Sequence, residues 1–159
     1  MIRSLIELDK HLYKSFSNMY RNKNVDCLKV EGILQKYNGK DWKNFVSESN
    51  SNKYHRNIYE SGIKNNMYEL IIITWFPNNY ANIHNHADNG CLLKVLDGEL
   101  IEKRYTHKLE KYKEIKYFKN EISYMNNKLG LHSILNDNDK SSVSLHVYSP
   151  PRFKTNFYK

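Results

Sequence analysis

From residue 54 onward, apolar and polar residues alternate with a period of two, and this pattern restricts the fold more than any other feature. The alternation is typical of strands, and residues common in turns separate one segment from the next. The predicted strands include residues 54–60, 67–76, 99–105, 112–118, 121–125, 131–135 and 143–148. Short strands at this spacing, with no helical pattern between them, predict a mainly β fold of the small-barrel or jelly-roll type.

The first 46 residues follow a helical pattern instead. Apolar residues spaced three and four apart predict an amphipathic helix over residues 2–19. A second helix is predicted over 26–37, with Asp26 as its N-terminal cap and Leu28 facing inward. We therefore expect a single domain over residues 1–159. In it, a helical cap over 1–46 precedes a β-barrel over 54–151.

Composition limits the partners that we expect for the protein. The 159 residues carry a formal net charge of +8, but the lysines are spread along the chain and mixed with acids, as in Glu102-Lys103-Arg104. We interpret such residues as a solvated surface rather than as a nucleic-acid-binding face. The two cysteines, Cys27 and Cys91, are far apart in sequence, which predicts no disulfide and a reducing compartment. We recognise neither a leader pattern nor a membrane-spanning run, and we expect a cytoplasmic monomer that binds neither membranes nor nucleic acid.

His84 and His86 form the centre of a candidate metal site. Side chains two residues apart in a strand point to the same face, so both imidazoles can bind one ion. Residues 82–98 are interpreted as a β-hairpin, with a turn at 88–90 and Cys91 at the start of the returning strand. A His-x-His pair alone is a weak signal, so a further ligand must come from elsewhere in the barrel.

His132 is the predicted third ligand. It follows a glycine by two residues at the start of another predicted strand, and three imidazoles suit a mid-to-late first-row divalent metal. Asp88 is the alternative, because it would share a strand face with the histidine pair, although its place in a turn favours capping. His11 and His107 lie in polar surroundings and are interpreted as surface residues.

The histidine motifs resemble the two cupin motifs, and in detail the chain resembles the cysteine dioxygenase family over nearly its whole length. Most cupins have a Glu ligand near the position of Cys91, and its replacement by Cys is one mark of this family. Two further segments, Tyr54-His55-Arg56-Asn57 and residues 143–151, match family segments that line the active site.

The resemblance implies a role for each matching residue. His84, His86 and His132 would bind non-haem Fe(II) inside a cupin-type barrel, and Arg56 and Tyr54 would meet the substrate carboxylate. Three neutral imidazoles leave the metal's charge and open coordination positions for a thiolate, its amine and dioxygen. Inside a dry barrel an unpaired Arg56 would be costly, so the site should favour an acid-bearing thiol.

Ser144, His146 and Tyr148 alternate with apolar residues, so their side chains share one strand face and can form a hydrogen-bonded row. In the family the phenol acts near the iron-bound substrate and oxygen, and the other two residues set its protonation. The resemblance also implies a thioether between Cys91 Sγ and a Tyr148 ring carbon, formed during turnover. Trp75, late in a long strand, is either a pocket wall or plain core.

Together these residues predict a dioxygenase that converts L-cysteine and O2 to cysteine sulfinate. The nearest alternative is the same reaction on another small thiol acid, such as 3-mercaptopropionate. Alternatives from other classes are a cupin that binds a metal or small ligand without catalysis and a basic scaffold that binds nucleic acid. The complete set of candidate ligands and site residues argues against decay to a scaffold.

Overall fold

Nine strands are found among residues 1–48, 53–60 and 65–159, the parts of the chain that the computed structural model describes. They are β1 (His55–Ile58), β2 (Glu69–Trp75), β3 (Tyr80–His84), β4 (Cys91–Asp97), β5 (Glu99–Tyr105), β6 (Lys111–Phe118), β7 (Ile122–Met125), β8 (Leu131–Leu135) and β9 (Ser142–Tyr148). They pair antiparallel in two sheets, with the orders β1-β2-β9-β4-β7 and β3-β8-β5-β6. The predicted mainly β fold is confirmed, whereas the residues that join the first two predicted strands lie partly outside the described ranges.

Apolar side chains fill both faces of the five-stranded sheet. Successive residues of a strand point to opposite faces, so β2 places Leu70 and Ile72 on one side and Ile71 and Ile73 on the other. The first pair packs with the N-terminal helices. The second pair packs with residues of the four-stranded sheet, such as Ile134, in an inner core between the two sheets. The sequence of β2 is therefore apolar at nearly every position instead of alternating.

The helical cap covers the outer face of the five-stranded sheet. Helix α1 (Leu5–Arg21) begins after Ser4, whose side chain accepts a hydrogen bond from the Glu7 backbone N–H. Its apolar stripe is fully buried and consists of Leu5, Leu8, Leu12 and Phe16. The predicted first helix is thus present, shifted toward the C-terminus by two or three residues. Among the described residues, no helix has both the length and the apolar character needed to cross a membrane.

The second predicted helix, over 26–37, is wrong in part. Cys27–Val30 form a 3₁₀ helix, and only α2 (Glu31–Gln35) is α-helical. The Cys27 N–H, which has no partner within the helix, donates to Asn89 O in the barrel at 2.9 Å and joins this turn to the barrel. In this tighter turn Leu28 is 44% exposed, not inward as expected.

The segment that carries the histidine pair is not a hairpin, which corrects the interpretation of residues 82–98. β3 pairs with β8, whereas β4 pairs with β7 and β9, so this segment crosses from one sheet to the other. A tight turn is present as expected, because the Gly90 N–H donates to Ala87 O and Gly90 has a φ of 90°, which favours glycine. Turn residues mark where the chain bends, but they do not determine which strand the next segment pairs with.

Lys94 joins the cap to the sheet. Its side chain is buried, and its Nζ donates to the backbone oxygens of Leu34, Gln35 and Tyr37 at 2.7–3.1 Å. Leu34 and Gln35 are the last two residues of α2, where helix carbonyls have no partner within the helix, and Tyr37 lies two residues beyond it. The ammonium group therefore caps the helix and holds it against β4.

Replacing Lys94 with Met should loosen the cap. The change keeps most of the side-chain length but leaves buried carbonyl groups without their donor, so we expect the free energy of unfolding to fall by about 2–3 kcal/mol. Urea denaturation followed by circular dichroism measures this quantity. The control is Lys119→Met, which removes an exposed ion pair with Asp97 and should change stability by less than about 1 kcal/mol. Equal stabilities of the two variants would contradict the capping role.

Candidate metal centre and active site

Three histidines converge beside the inner core. β3 ends at His84, and its pairing with β8 places His84 opposite His132. The ring centroid of His86 lies 4.4 Å from that of His132 and 5.7 Å from that of His84. One ring nitrogen from each residue lies within 4.8 Å of the others. The structure thus brings together the three predicted ligands, although His86 lies beyond the end of β3 and not within it.

Hydrogen bonds at Nδ1 determine which nitrogen of two rings can bind a metal. His84 Nδ1 lies 2.6 Å from the backbone oxygen of Asn82, and His132 Nδ1 lies 2.6 Å from Glu102 Oε1. A carbonyl and an ionised carboxylate only accept hydrogen bonds, so each Nδ1 carries the hydrogen and each Nε2 keeps a lone pair. The two Nε2 atoms face each other at 3.1 Å. Lone pairs in this position repel each other unless a cation binds both.

His86 is the third histidine of the cluster, and its ring has no hydrogen-bond partner among the described residues. The residue is buried, as are both of its ring nitrogens. An unsatisfied buried polar group costs about 1–3 kcal/mol, which a metal–nitrogen bond would offset. The backbone of His86 is fixed by Asn127, whose side-chain amide bonds to its N–H at 2.8 Å and to its carbonyl oxygen at 2.9 Å. This role of Asn127 was not predicted from the sequence.

The donor set fits a first-row divalent metal. Imidazole nitrogens about 2.0–2.1 Å from one such ion, and at right angles to each other, lie about 3 Å apart. The two Nε2 atoms of His84 and His132 have nearly this separation. Burial and the neighbouring His132 lower the pKa of His84 to about 3 and lower that of His86 further, so both rings are neutral ligands at neutral pH. Asp88, the alternative ligand, is exposed and lies outside the metal-ligand cluster found in the described part of the chain.

Glu102 is a buried carboxylate, although it lies in one of the mixed-charge segments whose lysines were interpreted mostly as a solvated surface. Its oxygens accept hydrogen bonds from His132 Nδ1, Ser123 Oγ and Arg104 Nε. Burial alone would raise the pKa of Glu102, but the hydrogen bond from His132 and the charge of Arg104 lower it to about 2. Glu102 follows the buried Leu100 by two residues on β5, and this spacing was the signal that could have placed it inside.

A pocket opens beside the histidines. Its walls include His84 and His132. Tyr54 lies against Trp75 with ring centroids 4.7 Å apart, and both residues line the pocket. Arg56 also lines the pocket, but it is exposed. The expectation that its guanidinium lies inside a dry barrel is therefore wrong. An exposed residue that lines a pocket lies at its mouth, so the charge of Arg56 is accessible from solvent.

Ser144, His146 and Tyr148 form a hydrogen-bonded row along β9. Ser144 Oγ lies 2.8 Å from His146 Nε2, and His146 Nδ1 lies 3.3 Å from Tyr148 OH. Trp75 Nε1 donates to Ser144 Oγ at 2.8 Å, so Trp75 is both a pocket wall and an anchor for the row. Burial lowers the pKa of His146 and raises that of Tyr148 well above its usual value, so both side chains are neutral at neutral pH.

Cys91 lies beside the row on the neighbouring strand. The pairing of β4 with β9 places Cys91 opposite Tyr148, and Cys91 Sγ lies 4.0 Å from His146 Nδ1. Directly opposite residues of an antiparallel pair have Cβ atoms about 4.5–5.5 Å apart, so the thiol and the phenol ring are close neighbours. Burial raises the pKa of Cys91 to about 12, so its thiol is protonated. Cys27 and Cys91 are both buried and free.

The C-terminal segment supplies a further wall of the pocket. Thr155 and Phe157 line the pocket. Phe157 forms an antiparallel bridge with His84, and the two ring centroids are 5.8 Å apart. The Tyr158 N–H donates to Ile83 O at 2.8 Å, so β3 has the C-terminal segment along the edge that β8 leaves open.

Comparison with known sequences places this site in a family. The sequence model described as "Cysteine dioxygenase type I" matches residues 3–159. The chain belongs to the cysteine dioxygenase type I family. A cysteine dioxygenase type 1 from Danio rerio is 30% identical over 150 residues, which cover 88% of this chain and 73% of the relative. The cysteine dioxygenase type 1 of Rattus norvegicus is 30% identical over 158 residues, which cover 94% of this chain and 76% of the relative. The resemblance predicted from the motifs, and with it membership of an enzyme family of oxidoreductases, is confirmed.

Solved structures with a similar backbone support the fold of this cysteine dioxygenase family member. A Klebsiella pneumoniae protein with a double-stranded beta-helix domain has a TM-score of 0.59 at 14% identity, covering 74% of this chain and 93% of the other. A cupin superfamily protein from Desulfitobacterium hafniense has a TM-score of 0.50 at 10% identity, covering 65% and 83%. At these identities the similarity concerns the fold alone, and it confirms the predicted cupin-type jelly roll.

Single replacements should identify the metal ligands of this family member. Changing His84, His86 or His132 to Ala removes one of three nitrogen donors, so we expect each variant to lose most of its bound divalent metal. Asp88→Asn should retain the metal, because Asp88 lies outside the cluster. Metal content after dialysis, measured by mass spectrometry, tests this. Loss from Asp88→Asn as large as that from the histidine variants would instead indicate a site of two histidines and one carboxylate.

Proposed function

We propose that this protein is a non-haem Fe(II)-dependent thiol dioxygenase that converts L-cysteine and O2 to cysteine sulfinate. The observation that carries the proposal is the convergence of three imidazoles, with no carboxylate in the cluster found among the described residues, beside a pocket with an arginine at its mouth. Neutral ligands leave the charge of a divalent ion uncompensated, which favours an anionic thiolate as a further ligand. Relatives named as cysteine dioxygenases support the choice of substrate.

Iron is the proposed metal because the reaction joins a thiol to O2. Bound Fe(II) would supply redox chemistry, which zinc lacks, and open coordination positions. Both oxygen atoms end on the substrate sulfur, so a thiol and one O2 give one sulfinic acid and no other product. The three histidines would hold the metal, and the remaining site residues would bind the substrate and control one proton.

Arg56 and Tyr54 would bind the substrate carboxylate. A guanidinium presents two parallel donors that match the two oxygens of a carboxylate. Arg56 and Tyr54 line the same pocket as His84 and His132, so a small amino acid could place its acid group at the mouth and its sulfur near the histidines. A thiol without a carboxylate would lose the contact with Arg56.

The row on β9 would hold a hydrogen-bond donor beside the substrate. Because Trp75 already donates to Ser144 Oγ, the Ser144 hydrogen is available for His146 Nε2. His146 Nδ1 would then carry the ring hydrogen and donate to the Tyr148 oxygen. The phenol hydrogen of Tyr148 would be left to point into the pocket that Tyr148 lines, where it can be donated to the substrate or to oxygen.

Dioxygen uptake by the Fe(II)-loaded protein tests the proposed reaction. With L-cysteine and isotopically labelled O2, we expect one O2 consumed per sulfinate formed and both labelled atoms in the product. The His132→Ala variant is the inactive control. Faster turnover of 3-mercaptopropionate than of L-cysteine would support the proposed reaction but identify 3-mercaptopropionate as the preferred substrate. Absence of uptake with any thiol, in protein that retains its metal, would indicate a non-catalytic metal-binding cupin.

Arg56→Gln should lower kcat/KM for L-cysteine about 10- to 100-fold. The expectation follows because a hydrogen bond to a charged group contributes about 1.5–3 kcal/mol. The variant should turn over cysteamine, which has no carboxylate, at nearly the original rate. Lys113→Gln, which removes an exposed charge on β6, is the matched control. A kcat/KM for L-cysteine equal to that of this control would exclude Arg56 as the carboxylate site.

A thioether between Cys91 and Tyr148 should form during turnover. The new C–S bond would replace the thiol S–H and one ring C–H, with O2 as the oxidant, so intact mass should fall by two hydrogen atoms. Peptide mapping after incubation with Fe(II), L-cysteine and air should link the two peptides. Cys27→Ala should still form the linked species, and Cys91→Gly should not. If active protein never contains it and Cys91→Gly keeps its full rate, the thioether has no role here.

A further inference from the structure

Glu102 is a fully buried carboxylate in contact with a metal ligand, and the proposed reaction gives it no role. Its Oε1 accepts hydrogen bonds from His132 Nδ1 at 2.6 Å and from Ser123 Oγ at 2.8 Å. Its Oε2 accepts from Arg104 Nε at 2.9 Å and from Tyr117 OH at 3.2 Å. Each oxygen therefore has two donors, and together they fix the orientation of the carboxylate.

Arg104 supplies the countercharge for this carboxylate. Its side chain is 14% exposed, and its Nη2 also bonds to Tyr124 O at 3.1 Å and to Ser123 Oγ at 3.3 Å. A buried carboxylate needs a cationic partner, and the guanidinium fills that need. The ion pair leaves Oε1 of Glu102 facing His132 Nδ1.

We propose that Glu102 is a positioning residue for the metal centre. It fixes His132 in the tautomer that carries its hydrogen on Nδ1 and so keeps the Nε2 lone pair directed at the metal. This inference rests on one part of the proposed function, namely that the three histidines bind a metal.

The three ligands differ in the support that they receive. His84 donates from Nδ1 to the backbone carbonyl of Asn82, and His86 has no ring partner among the described residues. An imidazole that donates to a carboxylate is more basic at its other nitrogen. His132 is therefore the strongest donor of the three, and its geometry is set by residues from β5 and β7.

The tautomer can be measured in the metal-free protein without any variant. Nitrogen-15 chemical shifts of histidine rings distinguish Nδ1–H from Nε2–H, and the His132 signals can be assigned by their absence in His132→Ala. We expect the Nδ1–H form in the unmodified protein. We expect a mixture in Glu102→Gln, because the glutamine amide can either accept from Nδ1 or donate to it. An Nε2–H ring at His132 in the unmodified protein would overturn the proposal.

Metal affinity gives a second measurement that needs no turnover. In competition titrations Glu102→Gln should bind Zn²⁺ and Fe²⁺ roughly 10- to 100-fold more weakly, the range typical for loss of such a partner. The matched control is Glu99→Gln on the same strand, where the carboxylate pairs with Lys116 away from the histidines. It should bind both metals as the unmodified protein does. Thermal unfolding of the metal-free variants measures any loss of stability separately.

The outcomes separate this proposal from the proposed reaction. Equal metal affinities for Glu102→Gln and Glu99→Gln, with the same His132 tautomer in both, would overturn the positioning role even if the protein oxidises L-cysteine. If the tautomer and the affinity change as expected while no thiol is oxidised, the positioning role is supported and the proposed reaction fails.

Discussion

The five-stranded sheet is buried on both faces, and the location of the site depends on this constraint. The apolar residues of β9 pack under the helical cap, so the intervening Ser144, His146 and Tyr148 face the other way and reach the pocket side. A shift of one residue in the register of β9 would exchange the two faces and place the polar row under the cap. The cap therefore determines which face of this strand is available for chemistry, in addition to stabilising the sheet through Lys94.

Charge is distributed around the three histidines in a way that suits an anionic ligand. The cluster itself contains imidazoles only, the positive charge of Arg56 lies at the pocket mouth, and Glu102 and Arg104 neutralise each other in the interior. A buried ion pair is weak evidence for stability on its own. Here the pair is connected to His132, so its orientation affects a ligand. Negative charge that a divalent ion at this cluster would require must then come from a molecule bound in the pocket.

The sequence allowed the strands and the three histidines to be predicted, because alternation and short motifs are local properties. The pairing of strands is not local, and the hairpin predicted over 82–98 was wrong because β4 pairs on both of its edges with strands distant in sequence. The burial of Glu102 was not predicted for a related reason. A charged residue in a strand is usually exposed, and its burial here depends on Arg104 on its own strand and on Ser123 and His132, which only the folded sheets bring to it.

The C-terminal segment lies along β3, the strand that ends at a metal ligand. The Tyr158 N–H donates to Ile83 O, and the Asn85 N–H donates to Asn156 O at 3.3 Å. Without this segment β3 would present an open row of backbone donors and acceptors, to which an extended segment of another molecule could add. The segment that contributes Thr155 and Phe157 to the pocket wall thus also covers this strand edge against intermolecular pairing. If this segment frays, the candidate metal site and the edge of β3 become exposed together. Opening of the site would then also favour self-association.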